Sequence, residues 1–336
     1  MTTIEDWGDL IVPRGAGDGT WWPAGRFSVP TGNLKSIMAL SGRHHARRAI
    51  RLYVSFDRDE LLDAASSIGT AVELTAKAFL ASVSTSLLAL KGDRDSILLL
   101  TGNASLTTRT PVQLRSVSAS EALDHARRID SRLPWREVDP ALEVRNAALH
   151  MGIVQQTGLR PAIIQMCKLL EVLVPAMGLD FERYWGDEWH AVESVLDDAR
   201  TELAATVAAK RAAAVVHFNS LMESLGKSSI DMLLATTTPK PVRYADHDDE
   251  VTCPVCGALA WLGCIIRRGE LEFERDEYGN MDHVWVDLDA VPVAFYCALC
   301  RLDLEDEELD EFDLPRSIEL EPDFEPEEAL SHWDQG

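Results

Sequence analysis

The stretch EVRNAALHMG, Glu143–Gly152, decides how the chain is read. It holds Arg145, an amide directly after it (Asn146), and His150 five positions past the arginine. The segment around it, DPALEVRNAALHMGIVQQTG, opens with an aspartate followed by proline, the N-cap and first helical position of a helix start. The spacing predicts a helix from Pro140 with a stop near Gly158. On such a helix Asn146 and His150, four apart, share a face. Arg145 lies about 140° from His150, and its long side chain can wrap back. The alternative is three ordinary polar residues, with His150 a core histidine and Arg145 paired to Glu143 or Glu121.

Outward from this segment the chain reads as helix from about residue 59 to 235. DRDELLDAASSIGTAVELTAKAFLASVSTSLLAL has acidic residues in its first turn and apolar residues at helical spacing. SASEALDHARRI reads as a short helix capped by Ser118 or Ser120. PAIIQMCKLLEVLVPAMG begins at Pro161, in the same first-turn role, and is apolar enough for the core. An Ala-rich stretch from Trp189 to Gly226 makes one or two more helices. Helices joined by short loops imply a bundle, so the fold class is mainly α. Residues 1–58, rich in Gly, Pro and Trp, are expected to be irregular and to pack on that bundle. Within them IRLYVSF, Ile50–Phe56, alternates like a strand or serves as a connector.

The 336 residues suffice for two domains, and the net charge of -23 is unevenly placed. Residues 246–336 hold 27 acids and 5 bases, against 28 acids and 27 bases before them. The balanced part leaves room for a local basic patch facing a polyanion. GRHHARRAIR offers one, with Arg43, Arg47 and Arg48 as candidate RNA contacts beside His44, His45 and Arg51; a solvated charged face is the plain alternative. No apolar run is long enough to span a bilayer, and MTTIEDWGDL lacks the pattern of a secretory signal. The expectation is a cytoplasmic protein with no membrane partner.

Five of the six cysteines fall between Cys253 and Cys300, four of them as Cys253-Pro-Val-Cys256 and Cys297-Ala-Leu-Cys300. Without an export signal, paired CxxC knuckles point to a metal rather than to disulfides. Two knuckles can supply four thiolates to one structural Zn2+, a closed site with no catalytic position. Cys264 reads as a buried thiol. Residues 236–250 look like a linker and 251–303 like a small β-rich zinc ribbon. Its hairpin turns at Tyr278-Gly279-Asn280. Residues 304–336 form an acidic tail, expected to be disordered or loosely attached. Acidic surroundings disfavour phosphate, so the ribbon reads as a folding staple, a dimerisation surface or a protein-recognition module.

Arg145-Asn146-(x3)-His150, downstream of a helix containing Glu73-(x3)-Lys77, resembles the HEPN superfamily of ribonucleases. That family has an Rx(4–6)H motif, usually with a polar residue after the arginine, on a helical bundle. Two other stretches match the looser pattern, Arg183-(x6)-His190 and Arg211-(x5)-His217. Arg183 precedes a junction at Gly186, and Arg211 is followed by alanine, so Arg145 carries the resemblance, over about residues 59–235. The resemblance implies a homodimer that brings two motifs together, and metal-independent RNA cleavage by a toxin or antiviral-defence effector. Arg145, Asn146 and His150 are the implied catalytic residues, with Glu73 and Lys77 supporting them; an i,i+4 Glu–Lys pair is also a common helix stabiliser. A guanidinium can clamp the scissile phosphate, and an imidazole can move protons at the 2′ and 5′ oxygens. The product would end in a 2′,3′-cyclic phosphate. An antitoxin or regulatory protein is an expected partner, and the acidic tail could cover the site, so that deleting residues 301–336 raises activity. The family's non-catalytic members imply the alternative of a scaffold working through the zinc module and tail. A His150 in a solvent-reachable cleft at a two-fold interface would favour the enzyme, and one buried on the core side of the bundle the scaffold.

Overall fold

The computed structural model describes residues 34–320, apart from 56, 58–59, 110–112, 135–138, 226–228, 230–231, 233–244 and 276–280. The chain divides into two compact units, Met1–Ala199 and Arg200–Gly336. The first is helical; the second carries an antiparallel sheet. Among the described residues no helix is long and apolar enough to cross a membrane.

The first unit is built around α2 (Leu61–Val83), which packs against α1 (Leu34–Ser55), α4 (Ala119–Ile129), α5 (Pro140–Asn146) and α6 (Gln156–Ala176). Its buried positions include Ala64, Ala65, Gly69, Ala71, Ala76 and Ala78, and small side chains let neighbouring backbones come close. On one side Gly42 of α1 meets Thr75, where a Cβ would lie 3.3 Å from the Thr75 nitrogen. On another, Gly69 meets α5: a Cβ there would collide with Arg145 Cβ and stand 2.7 Å from the Ala141 carbonyl oxygen.

Three expectations change here. Residues 34–55, within the segment expected to be irregular, form α1, and Ile50–Ser55 is helix rather than strand. Leu34, Ala39, Leu40, Ala46, Ala49 and Ile50 are buried along α1, but Arg43 and Arg47 share that buried face and hide its apolar period. Residues 1–33 of that segment, with the Trp21-Trp22 pair expected to pack on the bundle, lie outside the described residues. The helix after Asp139 stops six residues early: beyond Asn146 the chain makes a π turn, Ala147–Met151, and ends at Gly152 in the left-handed region, φ 65°. The Gly152 N–H bonds the Ala147 and Ala148 carbonyls, closing the turn. Finally, α6 starts at Gln156 and runs through Pro161, which is interior rather than first.

Two helix starts are as expected in place, and one differs in chemistry. Ser118 caps α4 in a capping box: Glu121 N–H donates to Ser118 Oγ (3.2 Å), and Ser118 N–H to Glu121 Oε2 (2.7 Å). Asp139 precedes Pro140 as predicted, but its side chain makes no cap bond. It is gripped instead by the buried Arg127 (Nη2 to Oδ1, 2.6 Å) and by Gln165 Nε2 (2.6 Å). Gln165 Oε1 in turn accepts from the Ala141 N–H at 2.8 Å. A residue of α6 thus caps α5, and α4 holds the same corner. The unit also includes α3 (Arg94–Leu100), α7 (Phe181–Trp185) and the start of α8 (Trp189–Ser224), a single helix where one or two were expected.

In the second unit β1 (His247–Thr252), β2 (Leu259–Arg275), β3 (Met281–Tyr296) and β4 (Asp303–Glu305) pair in that order, all antiparallel. β5 (Ile318–Leu320) adds to β3 at Leu288–Ala290. The β2–β3 hairpin is as predicted; its turn at Tyr278-Gly279-Asn280 lies outside the described residues. The supposed linker contributes strand β1 from His247 onward.

The tail also differs from expectation through Leu320. It supplies β4, a turn of 3-10 helix (Asp306–Glu311) and β5, and it buries Leu304, Leu309 and Phe312. Glu308 accepts from Lys210 Nζ of α8 at 2.5 Å, and Arg211 lies over the Phe312 ring, 4.4 Å from its centre. These three apolar side chains are what its acidic composition concealed. Deleting residues 301–336 would therefore remove two strands and part of a core, and would report on folding rather than on inhibition. Residues 321–336 lie outside the described region.

The corner at Asp139 generates a prediction. Gln165→Ala leaves the buried Ala141 N–H without its acceptor, a loss of about 1–3 kcal/mol. Urea unfolding should show a lower midpoint at an unchanged slope.

Candidate functional site

Arg145 points back onto α2, where its Nη2 pairs with Glu73 Oε2 at 2.6 Å. The other oxygen of Glu73, Oε1, accepts from Lys77 Nζ at 2.7 Å, and Lys77 also donates to Ser116 Oγ at 2.9 Å. Ser116, Lys77, Glu73 and Arg145 thus form one continuous line of polar contacts across three elements. Lys77 is buried, and Glu73 and Arg145 are largely covered. The pairs alternate in sign, as burial of charge requires. The two partners considered for Arg145 from the sequence do not hold it: Glu121 is committed to the Ser118 cap, and Glu73 takes the guanidinium. Hydrogen bonds from the Ser118 backbone and hydroxyl hold the Glu121 carboxyl below its ordinary range.

Asn146 and His150 are both exposed. His150 sits within the π turn, none of whose five residues is buried. A π turn places residues five apart about one turn apart, so it reduces the α-helical offset between Arg145 and His150. Beside His150 stand Leu149, Met151 and Ile153, exposed by 54%, 67% and 52%. Three large apolar side chains left in water around one histidine form a surface suited to contact.

The proposed basic patch is corrected. Arg43 and Arg47 are buried, and both donate through Nε to the Tyr184 carbonyl (2.8 and 2.9 Å) and through Nη2 to the Arg183 carbonyl (3.0 and 3.1 Å). They cap the C-terminal end of α7 and have no surface for RNA. Gly186, at φ 57°, makes room for the Arg47 guanidinium. Arg48 is exposed but pairs with Asp63. Burial lowers the His44 and His45 pKa values, with Arg48 adding to the effect at both. The two looser matches also resolve. His190 is nearly fully exposed against Glu193, after the break at Gly186. Arg211 is engaged in the second unit by Phe312 and the Glu311 carbonyl.

The four knuckle cysteines converge. Cys253, Cys256, Cys297 and Cys300 are buried with sulfurs within 4.8 Å of one another, at 3.6 Å for Cys253–Cys300 and 3.5 Å for Cys256–Cys297. A tetrahedral four-sulfur cage with ion–sulfur bonds of about 2.3 Å has edges of about 3.8 Å, so the cluster fits a structural metal ion. The knuckles match each other locally. Gly257 N–H donates to the Cys253 carbonyl, and Arg301 N–H to the Cys297 carbonyl. Gly257 (φ 73°) and Arg301 (φ 62°) both adopt the left-handed region. Cys264 stands apart, as expected: buried, donating to the Leu262 carbonyl, its pKa pushed up to about 12 by burial.

Ser116 and Gly69 went unnoticed in the sequence. Gly69, one turn before Glu73 inside an apolar helix, is the kind of glycine that marks a close approach. Nothing local marks Ser116. No family model matches the chain, and neither curated proteins nor solved structures yield a match to it.

Elemental analysis of the purified chain should find about one metal ion per molecule, and Cys297→Ser should retain little of it and lose sheet structure at lower temperature. Arg301→Gly removes a left-handed Cβ and should stabilise the same unit by about 1 kcal/mol in urea unfolding.

Proposed function

We propose that the helical unit is a metal-independent endoribonuclease of HEPN type, serving as a toxin or antiviral-defence effector with RNA as substrate. The observation that carries the reading is the placement of the motif: Arg145 held at the α2–α5 contact by Glu73, and His150 presented to solvent on the next turn. A core-facing histidine would have argued the other way.

In this reading Arg145 contacts a non-bridging phosphate oxygen and stabilises charge as the phosphorane forms. An imidazole takes the 2′-OH proton as the 2′ oxygen bonds to phosphorus. The bond from phosphorus to the 5′ oxygen breaks, and that oxygen takes a proton from an imidazolium. The products are a 2′,3′-cyclic phosphate and a 5′-hydroxyl. One chain brings one His150; a homodimer brings an acid and a base. Leu149, Met151 and Ile153 support that assembly, because an exposed apolar rim around the histidine suits a second copy of the same turn. Asn146 orients the phosphate or the imidazole.

The four-cysteine cluster we assign to zinc, because a closed set of four thiolates suits that ion and leaves no position for catalysis. It would act as a folding staple for the sheet.

One observation favours a second reading. The Arg145–Glu73 pair is also what a staple between two helices requires, and a non-catalytic scaffold working through the metal-bound unit would keep it.

Structured and single-stranded RNA incubated with the chain in EDTA separates the two. The enzyme reading expects cleavage to cyclic-phosphate ends, reduced at least about a hundredfold by Arg145→Ala and by His150→Ala. RNA left intact by the parent chain would leave the scaffold standing.

A further inference from the structure

We propose that Ser116 is a positioning residue for Arg145, acting through Lys77 and Glu73. The proposal rests on the ribonuclease reading for its activity readout only. Its physical basis is the division of one carboxylate between two cations. Glu73 gives Oε1 to Lys77 and Oε2 to Arg145. An ammonium on a flexible stem carries three donors and could swing across both oxygens of its partner. The Ser116 hydroxyl, 2.9 Å from Lys77 Nζ, holds the ammonium on the Oε1 side and leaves Oε2 to the guanidinium.

Ser116 is itself rigidly placed. Its residue bridges to Ala89, while Leu90 N–H donates to the Arg115 carbonyl and Val117 N–H to the Leu88 carbonyl. The Ser96 hydroxyl accepts from the Arg115 N–H at 2.9 Å, and Val117 is buried. The α4 cap begins two residues later at Ser118. The anchor therefore stands on paired backbone on both sides, which is what a group needs if it is to fix another within a fraction of an ångström. At the far end, Gly69 lies against Arg145 Cβ and Cδ, so the arginine stem has little room to adjust if its head is released.

The arrangement also gives Lys77 a task during binding. When a phosphate oxygen takes up Arg145, Glu73 loses one cation. Lys77, kept in place by Ser116, still neutralises that carboxylate, which would otherwise repel the incoming anion.

The test uses the full chain with labelled arginine side chains. The Arg145 Nε–H resonance, assigned through Arg145→Lys, reports the guanidinium directly. Ser116→Ala should shift that resonance, and Lys77→Met should shift it similarly. Ser116→Thr, which keeps the hydroxyl, should restore it. With RNA, Ser116→Ala should lower kcat about tenfold with a smaller change in KM, and Ser116→Thr should recover the rate. If Ser116→Ala does not fold, Ser116→Cys, with a weaker acceptor, is read in its place. An unshifted resonance in Ser116→Ala, or a threonine variant no better than the alanine one, overturns the proposal. If the parent cleaves no RNA but the resonance moves as expected, the positioning role stands and the ribonuclease reading falls.

Discussion

The carboxylate of Glu73 is the constraint on which the helical unit turns. It lies where two cations from different parts of the chain need an anion, and each depends on it. Losing one member of such a covered set leaves an uncompensated charge, a cost of about 3–5 kcal/mol when the pair is buried. The surrounding packing follows from this requirement. For Arg145 to reach Glu73, α5 must press on α2, and Gly69 permits it by having no side chain at the crossing. For Lys77 to be satisfied, the segment before α4 must come within hydrogen-bond reach, and the paired backbone around Ser116 delivers it. Packing and electrostatics specify the same geometry here.

That coupling explains why the motif helix is so short. Seven residues of α5 could not persist alone, since isolated helices need roughly twice that length even with good sequences. It is held at the start by Gln165 and Asp139, in the middle by Glu73, and at the end by the left-handed turn at Gly152. Apolar packing adds to these polar contacts: Ala141 and Leu142 are buried in the core, and Val144 packs against it. In the final turn Ala148 packs against the core, while Leu149 and Met151 remain outside.

How much of this was legible depended on the range of each interaction. The cysteine knuckles were readable because CxxC is a local pattern whose partner repeats it. Ser118 was readable as one of two candidate caps, with Ser120, while the reciprocal bond of Glu121 that completes the box was not. Asp139-Pro140 announced a helix start, yet its cap comes from Gln165 on another helix, which no window of sequence reveals. Gly158 was the expected stop, but the left-handed turn at Gly152 ends the helix first. On α1 the buried face carries two arginines whose partners are carbonyls about 140 residues away, so a basic run looked like surface. In residues 304–320, acidic neighbours obscured Leu304, Leu309 and Phe312.

The second unit shows a different balance. Its sequence from Asp246 onward has a net charge of -22, and self-repulsion of that size opposes compactness. Its buried cluster is modest and includes the four knuckle cysteines themselves. A sheet in this position gains little from extending its core and much from a cross-link that closes a long loop. The knuckles precede β2 and follow β3, together at the open end of the hairpin, so an ion held between them would join residues more than forty positions apart. Ligation by four thiolates would add negative charge to an already acidic unit, which a bound cation would offset only in part. An ion bound by the four cysteines would contribute its binding free energy to the folding of the sheet.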